Sequence, residues 1–232
     1  MNKKNFIIST DMSEFSNVKN KPTGFSLIEL MIAMAVGLVL LAAVYSVFNM
    51  QNKELNKQEQ ITEMQQNARM AMAMISRDLT MAGYGPSSMA RCTGTTTATN
   101  APCLGITAAN ANSISFTMDV TDASGTGVPD GDRDDAHENI TYDVYTSSGV
   151  PALGRKSSTT ANKMPVVENV SALAFTYLPA TGTTATTNLS LIRRVQISIT
   201  TRTANVDRNT GNYLYYNLVS VVAPRNLESS GF

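Results

Sequence analysis

The sequence predicts an α+β protein: a long N-terminal α-helix, transmembrane over its first half, packed on a C-terminal antiparallel β-sheet. Three observations predict it. An apolar run of 26 residues, Phe25 to Met50, carries a single charge, Glu29. Apolar residues then return at helical spacing between Ile61 and Ala82. Beyond residue 112 the chain becomes short alternating runs rich in Val, Ile, Thr, Tyr and Phe, separated by Asn, Gly and Pro.

The helix is the most strongly determined element. Only Gly37 interrupts the stretch from Phe25 to Ala82 with a residue that weakens helices, and no proline does. Those 58 residues would reach about 87 Å if fully helical. Character changes along the way. Phe25–Met50 is apolar on every side and longer than the ~20 residues that cross a hydrocarbon core. The next ten residues, QNKELNKQEQ (51–60), are polar apart from Leu55 and read as a solvated neck. From there Ile61, Met64, Ala68, Ala71, Ile75, Leu79 and Ala82 draw one apolar stripe, the mark of a helix packed on a globular domain. Gly83 and the pair Gly85-Pro86 end it. The methionines of NARMAMAMISRDLTMAGYG read as adaptable core filler.

Strands are expected in SISFTMDV (113–120), NITYDVY (139–145), LAFTYL (173–178), LSLIRRVQISITTRT (189–203) and YLYYNLVSVVA (213–223). ENVSAL (168–173) is expected to form a short helical turn before its strand. One helix followed by a series of strands is an α+β arrangement.

Composition narrows the function. Eighteen basic residues balance eighteen acidic ones, so a general nucleic-acid or polyanion role has no support. No Walker motif, GxGxxG or Gly-x-Ser-x-Gly occurs, and His137 is the only histidine. A histidine metal cluster is therefore unavailable, and the chain is expected not to be an enzyme.

The apolar run is too long for a signal-peptide core, and no small-residue cleavage site follows it. Lys3, Lys4, Lys19 and Lys21 precede it, which keeps that end cytoplasmic and sends the larger C-terminal part outside. A lone carboxylate within such a run is costly and is protonated, paired or functional.

The segment GFSLIELMIAMAVGLVLLAAV resembles the processing site of type IV pilins and type II secretion pseudopilins. The resemblance implies a type IV pilin fold and a membrane prepilin peptidase that cuts after Gly24 and methylates Phe25. Glu29 then stands at the fifth position of the mature chain. Cleavage creates an α-amino group at Phe25, and the resemblance implies that the amine of one subunit meets Glu29 of its neighbour and sets subunit register. The 24-residue leader is long and not uniformly basic, and the proline of many major pilins is missing from the second half of the apolar run. Local melting of the helix on assembly is accordingly left open.

Further along, Asp78, Leu79, Ala82, Gly83 and Tyr84 match the DL-x-x-AGY stretch that ends the long helix of PilW-type minor pilins. Residues 132–145, 166–178, 193–203 and 221–227 are similar to the same pattern, with gaps at 87–112 and 146–163. The implied function is a minor pilin that helps initiate filament assembly in support of twitching motility, adhesion or DNA uptake. A J-like minor pseudopilin of a type II secretion system shares the plan and stays open, as does an adhesin held by a plain membrane anchor. Implied partners are other major and minor pilins, the prepilin peptidase and the inner-membrane assembly platform. The implied location is the inner membrane, then the pilus at the cell surface.

The expected organisation is a leader over 1–24, a membrane and filament-core helix over 25–50, the amphipathic half of the helix over 51–84, and an exported β-rich domain over 85–232. Cys92 and Cys103 flank a polar loop in that domain, and a local disulfide is expected there, with two buried thiols as the alternative. No cofactor is implied, although one cluster could hold a cation. DVTDASGTGVPDGDRDDAHE (119–138) holds seven acidic residues against Arg133. Within it Asp130, Asp132 and Asp134 present oxygen ligands of the kind calcium takes. The EF-hand spacing fails, because Asp135 falls at its glycine position and Thr141 at position twelve. A solvated acidic loop or a docking surface is the other reading.

Overall fold

The computed structural model describes residues 24–99, 102–122, 124–133, 135–158, 161–208 and 210–227. The chain divides into two compact units, Met1–Asn52 and Lys53–Phe232. Helix α1 spans Leu27–Thr80 and belongs to both. It is long and apolar enough to cross a membrane. In the first unit its apolar side chains all stand exposed, from Phe25 at 86% to Met50 at 69%.

In the second unit the helix has one covered face. Met64, Ala68, Ala71, Met72, Ile75, Asp78 and Leu79 are buried. The expected stripe is therefore correct at Met64, Ala68, Ala71, Ile75 and Leu79, and Ala82 beyond the helix is buried as well. Met64 and Met72 fill the core as expected, whereas Met70 is exposed. The helix stops because Gly83 turns to φ 80° and its N–H leaves the helical ladder to donate to the carbonyl of Thr117, at 2.9 Å. A Cβ at Gly83 would meet the Asn226 carbonyl and the Leu227 side chain, each at 3.1 Å.

Two antiparallel sheets form where the sequence predicts one. Strands β1 (Gly105–Ala109), β2 (Ser113–Thr117), β3 (Asn139–Ser147), β4 (Val150–Lys156) and β5 (Met164–Glu168) pair in chain order. Strands β6 (Val170–Leu178), β7 (Arg194–Arg202) and β8 (Tyr215–Val222) make a second sheet, also in chain order. The helical turn expected in ENVSAL is absent. Asn169 instead takes φ 60°, which turns the chain sharply between β5 and β6 and carries it from one sheet to the other. The long run expected as one strand over 189–203 is divided: Leu189–Leu191 is a 3-10 turn, and β7 begins at Arg194.

Helix and sheets share one core. Ala71, Met72, Ile75, Leu79 and Ala82 pack with Ile114, Phe116, Ile140 and Leu153 of the larger sheet and with Leu173, Phe175, Val195, Ile197 and Ile199 of the smaller. The sheets are joined directly as well: the Tyr177 hydroxyl on β6 donates to the carbonyl of Asn110, in the β1–β2 turn, at 2.8 Å.

A charge sits inside this core. Asp78 is only 8% exposed. Its Oδ2 accepts from the Tyr142 hydroxyl at 2.7 Å and from Arg155 Nε at 2.8 Å. Tyr142 on β3 and Arg155 on β4 are partners in the strand register, so the two donors stand side by side. Oδ1 accepts from Arg77 Nε at 3.2 Å. Burial opposes the charge on Asp78, but the bonds from Tyr142 and Arg155, the Arg155 charge and the bond from Arg77 outweigh it and hold the carboxyl below its usual range. Burial and the bond to Asp78 push the Tyr142 phenol well up. A second tie lies one end along, where buried Thr201 on β7 donates to the Met64 carbonyl at 3.0 Å.

Tyr142→Phe should lower unfolding stability by about 1.5–3 kcal/mol, the range for hydrogen bonds to charged groups. Asp78→Ala should cost roughly 3–5 kcal/mol, because it leaves a half-buried guanidinium without its partner. Combining them should cost less than the sum in urea titrations. The pH dependence has a definite sign. With a folded pKa below the unfolded value of 3.8, the stabilisation is complete above that value and is lost as pH falls through the folded pKa. The stability gap between the wild type and Asp78→Asn should therefore narrow as pH drops below about 4.

Candidate functional site

Gly24 to Ser26 precede the helix, and its first turn closes with the Leu30 N–H donating to the Ser26 carbonyl at 3.1 Å. Glu29 lies in that first turn, where a carboxylate faces the positive end of the helix dipole. Around it Phe25, Leu27, Ile28, Leu30 and Met31 are all exposed. Gly24 has an ordinary backbone conformation, and a Cβ added there would meet nothing within 4 Å. No contact among the described residues calls for a glycine at that position.

Cys92 and Cys103 form a disulfide. Both are buried, and backbone bonds flank the bridge, from Cys92 N–H to the Leu104 carbonyl at 3.0 Å and from Leu104 N–H to the Ala90 carbonyl at 2.9 Å. Buried Thr117 on β2 donates its hydroxyl to the Cys103 carbonyl at 2.6 Å, and Arg133 Nη1 donates to the same oxygen at 3.3 Å. The disulfide loop is thus tied to the sheet and to the acidic loop.

The acidic loop is hung between two fully buried carboxylates, Asp119 and Glu138. Glu138 Oε1 accepts from the N–H groups of Val120 at 2.8 Å and Thr121 at 3.0 Å, and its Oε2 accepts from the Asp135 N–H at 3.4 Å. Burial, against those bonds and with the nearby Asp119 charge, raises the Glu138 pKa. Asp119 Oδ2 accepts from the Gly131 N–H at 2.9 Å. Exposed Asp122 accepts from the Thr126 N–H and the Ser124 hydroxyl, each at 2.7 Å, and these bonds bring its pKa down to about 2.

Asp130, Asp132 and Asp135 come together, with one carboxylate oxygen from each within 4.8 Å of the others. The sequence pointed to Asp134 as the third member, and that residue lies outside the described ones; among the described residues Asp135 joins Asp130 and Asp132. A cavity of about 400 Å³ adjoins the loop, lined by Val120, Thr121, Asp122, Gly125, Asp135, Ala136 and His137. His137 adopts φ 75°, uncommon for a side-chain-bearing residue, with its N–H donating to the Ser157 carbonyl at 2.8 Å.

Sequence reasoning missed the buried roles of Asp119, Glu138 and Asp78. Their acidic character suggested solvent, and only the facing backbone amides and Arg155 make their burial tolerable. Replacing both cysteines by serine should lower stability by about 3 kcal/mol for a loop of this length, read as a shift in the denaturant midpoint of the non-reduced protein.

Residues 19–45 match the family model described as the prokaryotic N-terminal methylation motif. The matched stretch contains Gly24, Phe25 and Glu29. No curated protein matches the sequence. Among solved structures, a type IV-like pilin from Thermus thermophilus aligns with 11% sequence identity and a TM-score of 0.39, covering 70% of this chain and 97% of that one. The motif and the apolar helix point to a membrane-anchored structural protein that is pilin-like in its N-terminal segment.

Proposed function

We propose that the chain is a PilW-like minor pilin of a type IV pilus. The observation that carries this reading is the methylation motif at residues 19–45, continued by a helix whose apolar side chains are exposed on every side as far as Met50. A peptidase in the membrane removes residues 1–24 and methylates Phe25. Gly24 supports the cleavage, since no contact among the described residues demands glycine there.

Before assembly the apolar part of α1 spans the inner membrane, with the basic leader in the cytoplasm and the β-rich unit in the periplasm. On assembly it leaves lipid and packs against equivalent helices of major and minor pilins, delivered by the assembly platform. Each cleavage frees an α-amine at Phe25. In the apolar filament interior that cation requires an anion, and Glu29 of a neighbouring subunit is the carboxylate at the matching depth. The subunit takes part in initiating the filament and so supports twitching motility, adhesion or DNA uptake.

Gly24→Ala should leave the leader attached, seen as a slower-migrating species on immunoblots, and should abolish incorporation into sheared filaments. Glu29→Val should be processed normally yet enter filaments roughly tenfold less or worse, since removing one partner of a buried charge pair costs about 2–5 kcal/mol. Normal assembly of Glu29→Val would refute the pairing. Deleting the gene should remove surface filaments and leave protein secretion intact; the reverse outcome would identify a secretion pseudopilin instead.

A further inference from the structure

The smaller sheet ends on a strand whose outer side pairs with nothing among the described residues. Its order is β6-β7-β8, so the far side of β8 is an open edge. Which groups face that edge follows from the ladder. The Thr203 N–H donates to the Leu214 carbonyl at 3.0 Å, and peptide groups alternate sides along an antiparallel strand. Tyr216, Leu218, Ser220 and Val222 therefore bond toward β7, while Tyr215, Asn217, Val219 and Val221 turn their N–H and C=O groups outward. Those same four residues are the exposed ones of the strand.

The other sheet ends are guarded. Strand β5 carries Pro165 and Glu168, β1 is bridged at Ala108 by Thr97, and on β6 the Phe175 N–H donates to the Ala111 carbonyl at 2.8 Å. Strand β8, YYNLVSVV, has no charge, proline or glycine in its eight residues. An open edge of that kind is a template for a further strand. It is also its own complement. Set antiparallel to a second β8 about Leu218, it places Tyr215 opposite Val221 and Asn217 opposite Val219 of the other copy. Every outward residue then meets an outward residue, aromatic faces β-branched at both ends, and no charges oppose each other. A slip of one residue sets outward groups against inward ones, and a slip of two carries an outward residue past the partner strand at each end.

We propose that β8 is a docking edge for a second copy of this chain, joined antiparallel through β8 of each so that the two smaller sheets become one. The direction of the strand says which copies meet. Tyr216 pairs with Thr201, whose hydroxyl donates to the Met64 carbonyl at 3.0 Å. Beyond the other end of β8, Asn226 Nδ2 donates to the Met81 carbonyl at 3.4 Å. Strand β8 thus runs in the same sense as the helix beside it, and antiparallel pairing sets the two copies' helices in opposite senses there. The contact fits chains that face one another, not neighbours lying side by side. It buries the area of one strand pair, well below that of a permanent interface, so it forms reversibly. It uses no residue of the N-terminal segment, so its failure and that of the proposed filament role are separate outcomes.

The test is oxidative cross-linking of the full-length chain in detergent, read on non-reducing gels, with the buried Cys92–Cys103 bridge intact throughout. Asn217→Cys and Val219→Cys chains are purified separately. Mixed, they should give at least about tenfold more linked dimer than either alone, because the register sets position 217 against 219 and neither against itself. Adding Val221→Lys to both should remove the cross-link at an unchanged thermal midpoint, since Val221 is 51% exposed and a charge on an edge blocks strand addition. If that variant fails to fold, the comparison of mixed with single variants still decides. A mixture no more linked than the single variants, or a dimer that survives Val221→Lys, would each overturn the proposal. Absence of linked dimer at every protein concentration would overturn self-pairing and leave the edge to a strand of another protein.

Discussion

The buried carboxylate of Asp78 is the constraint on which the arrangement of the second unit depends. A charge at that depth is stable only where several donors meet it, and here they come from adjacent positions on two paired strands. Tyr142 and Arg155 can reach one carboxylate together only if β3 and β4 are in register, and only if the helix presents that residue to them. The clamp therefore specifies a rotation and a height for the helix, which the surrounding apolar contacts would leave less sharply defined. Thr201 makes a comparable tie to the Met64 carbonyl from the other sheet. Small residues at Ala68 and Ala71, both fully buried, let the sheets approach the helix closely between the two ties.

Along the same helix the surroundings change, and the side chains change with them. From Met64 onward one face is covered by core, with Ile75 and Leu79 inaccessible to solvent. From Phe25 to Met50 nothing among the described residues covers the apolar side chains. Exposed apolar surface of that extent marks a membrane or a protein partner. Glu29 then carries meaning through its context: it is the one charged side chain between Phe25 and Met50 and lies in the first turn of the helix.

The end of the helix is where the loops converge. Gly83 turns the chain against Asn226 and Leu227, and Arg91 donates to the Gly83 carbonyl. The Cys103 carbonyl, beside the disulfide, receives Thr117 from the sheet and Arg133 from the acidic loop. Asp119 and Glu138 then anchor the acidic loop through backbone amides. A few buried polar groups thus hold the long loops that an apolar core of this size could not reach, each taking a hydrogen bond from another segment.

Local rules made several features legible in the residues. The apolar stripe from Met64 to Leu79 followed from a 3.6-residue period, the glycine stop from the demand for positive φ, and β7 from its alternation, which the burial of Val195, Ile197, Ile199 and Thr201 reproduces. The methylation motif at residues 19–45 was legible because its signal is a short linear pattern. What escaped was non-local. Strands β1, β4 and β5 have weak patterns, with Pro151 and Gly154 inside β4 and Pro165 in β5, and they exist because neighbouring strands pair with them. Pro165 is tolerated because β5 is an edge of its sheet. The sequence by itself determined the helix, its change of character near residue 50 and the methylation motif that contains Gly24 and Glu29. Only the tertiary structure decided that there are two sheets, that Asp78, Asp119 and Glu138 are buried, and that Asp135 joins Asp130 and Asp132. Those outcomes depend on donors and neighbours distant along the chain, which no local pattern of residues records.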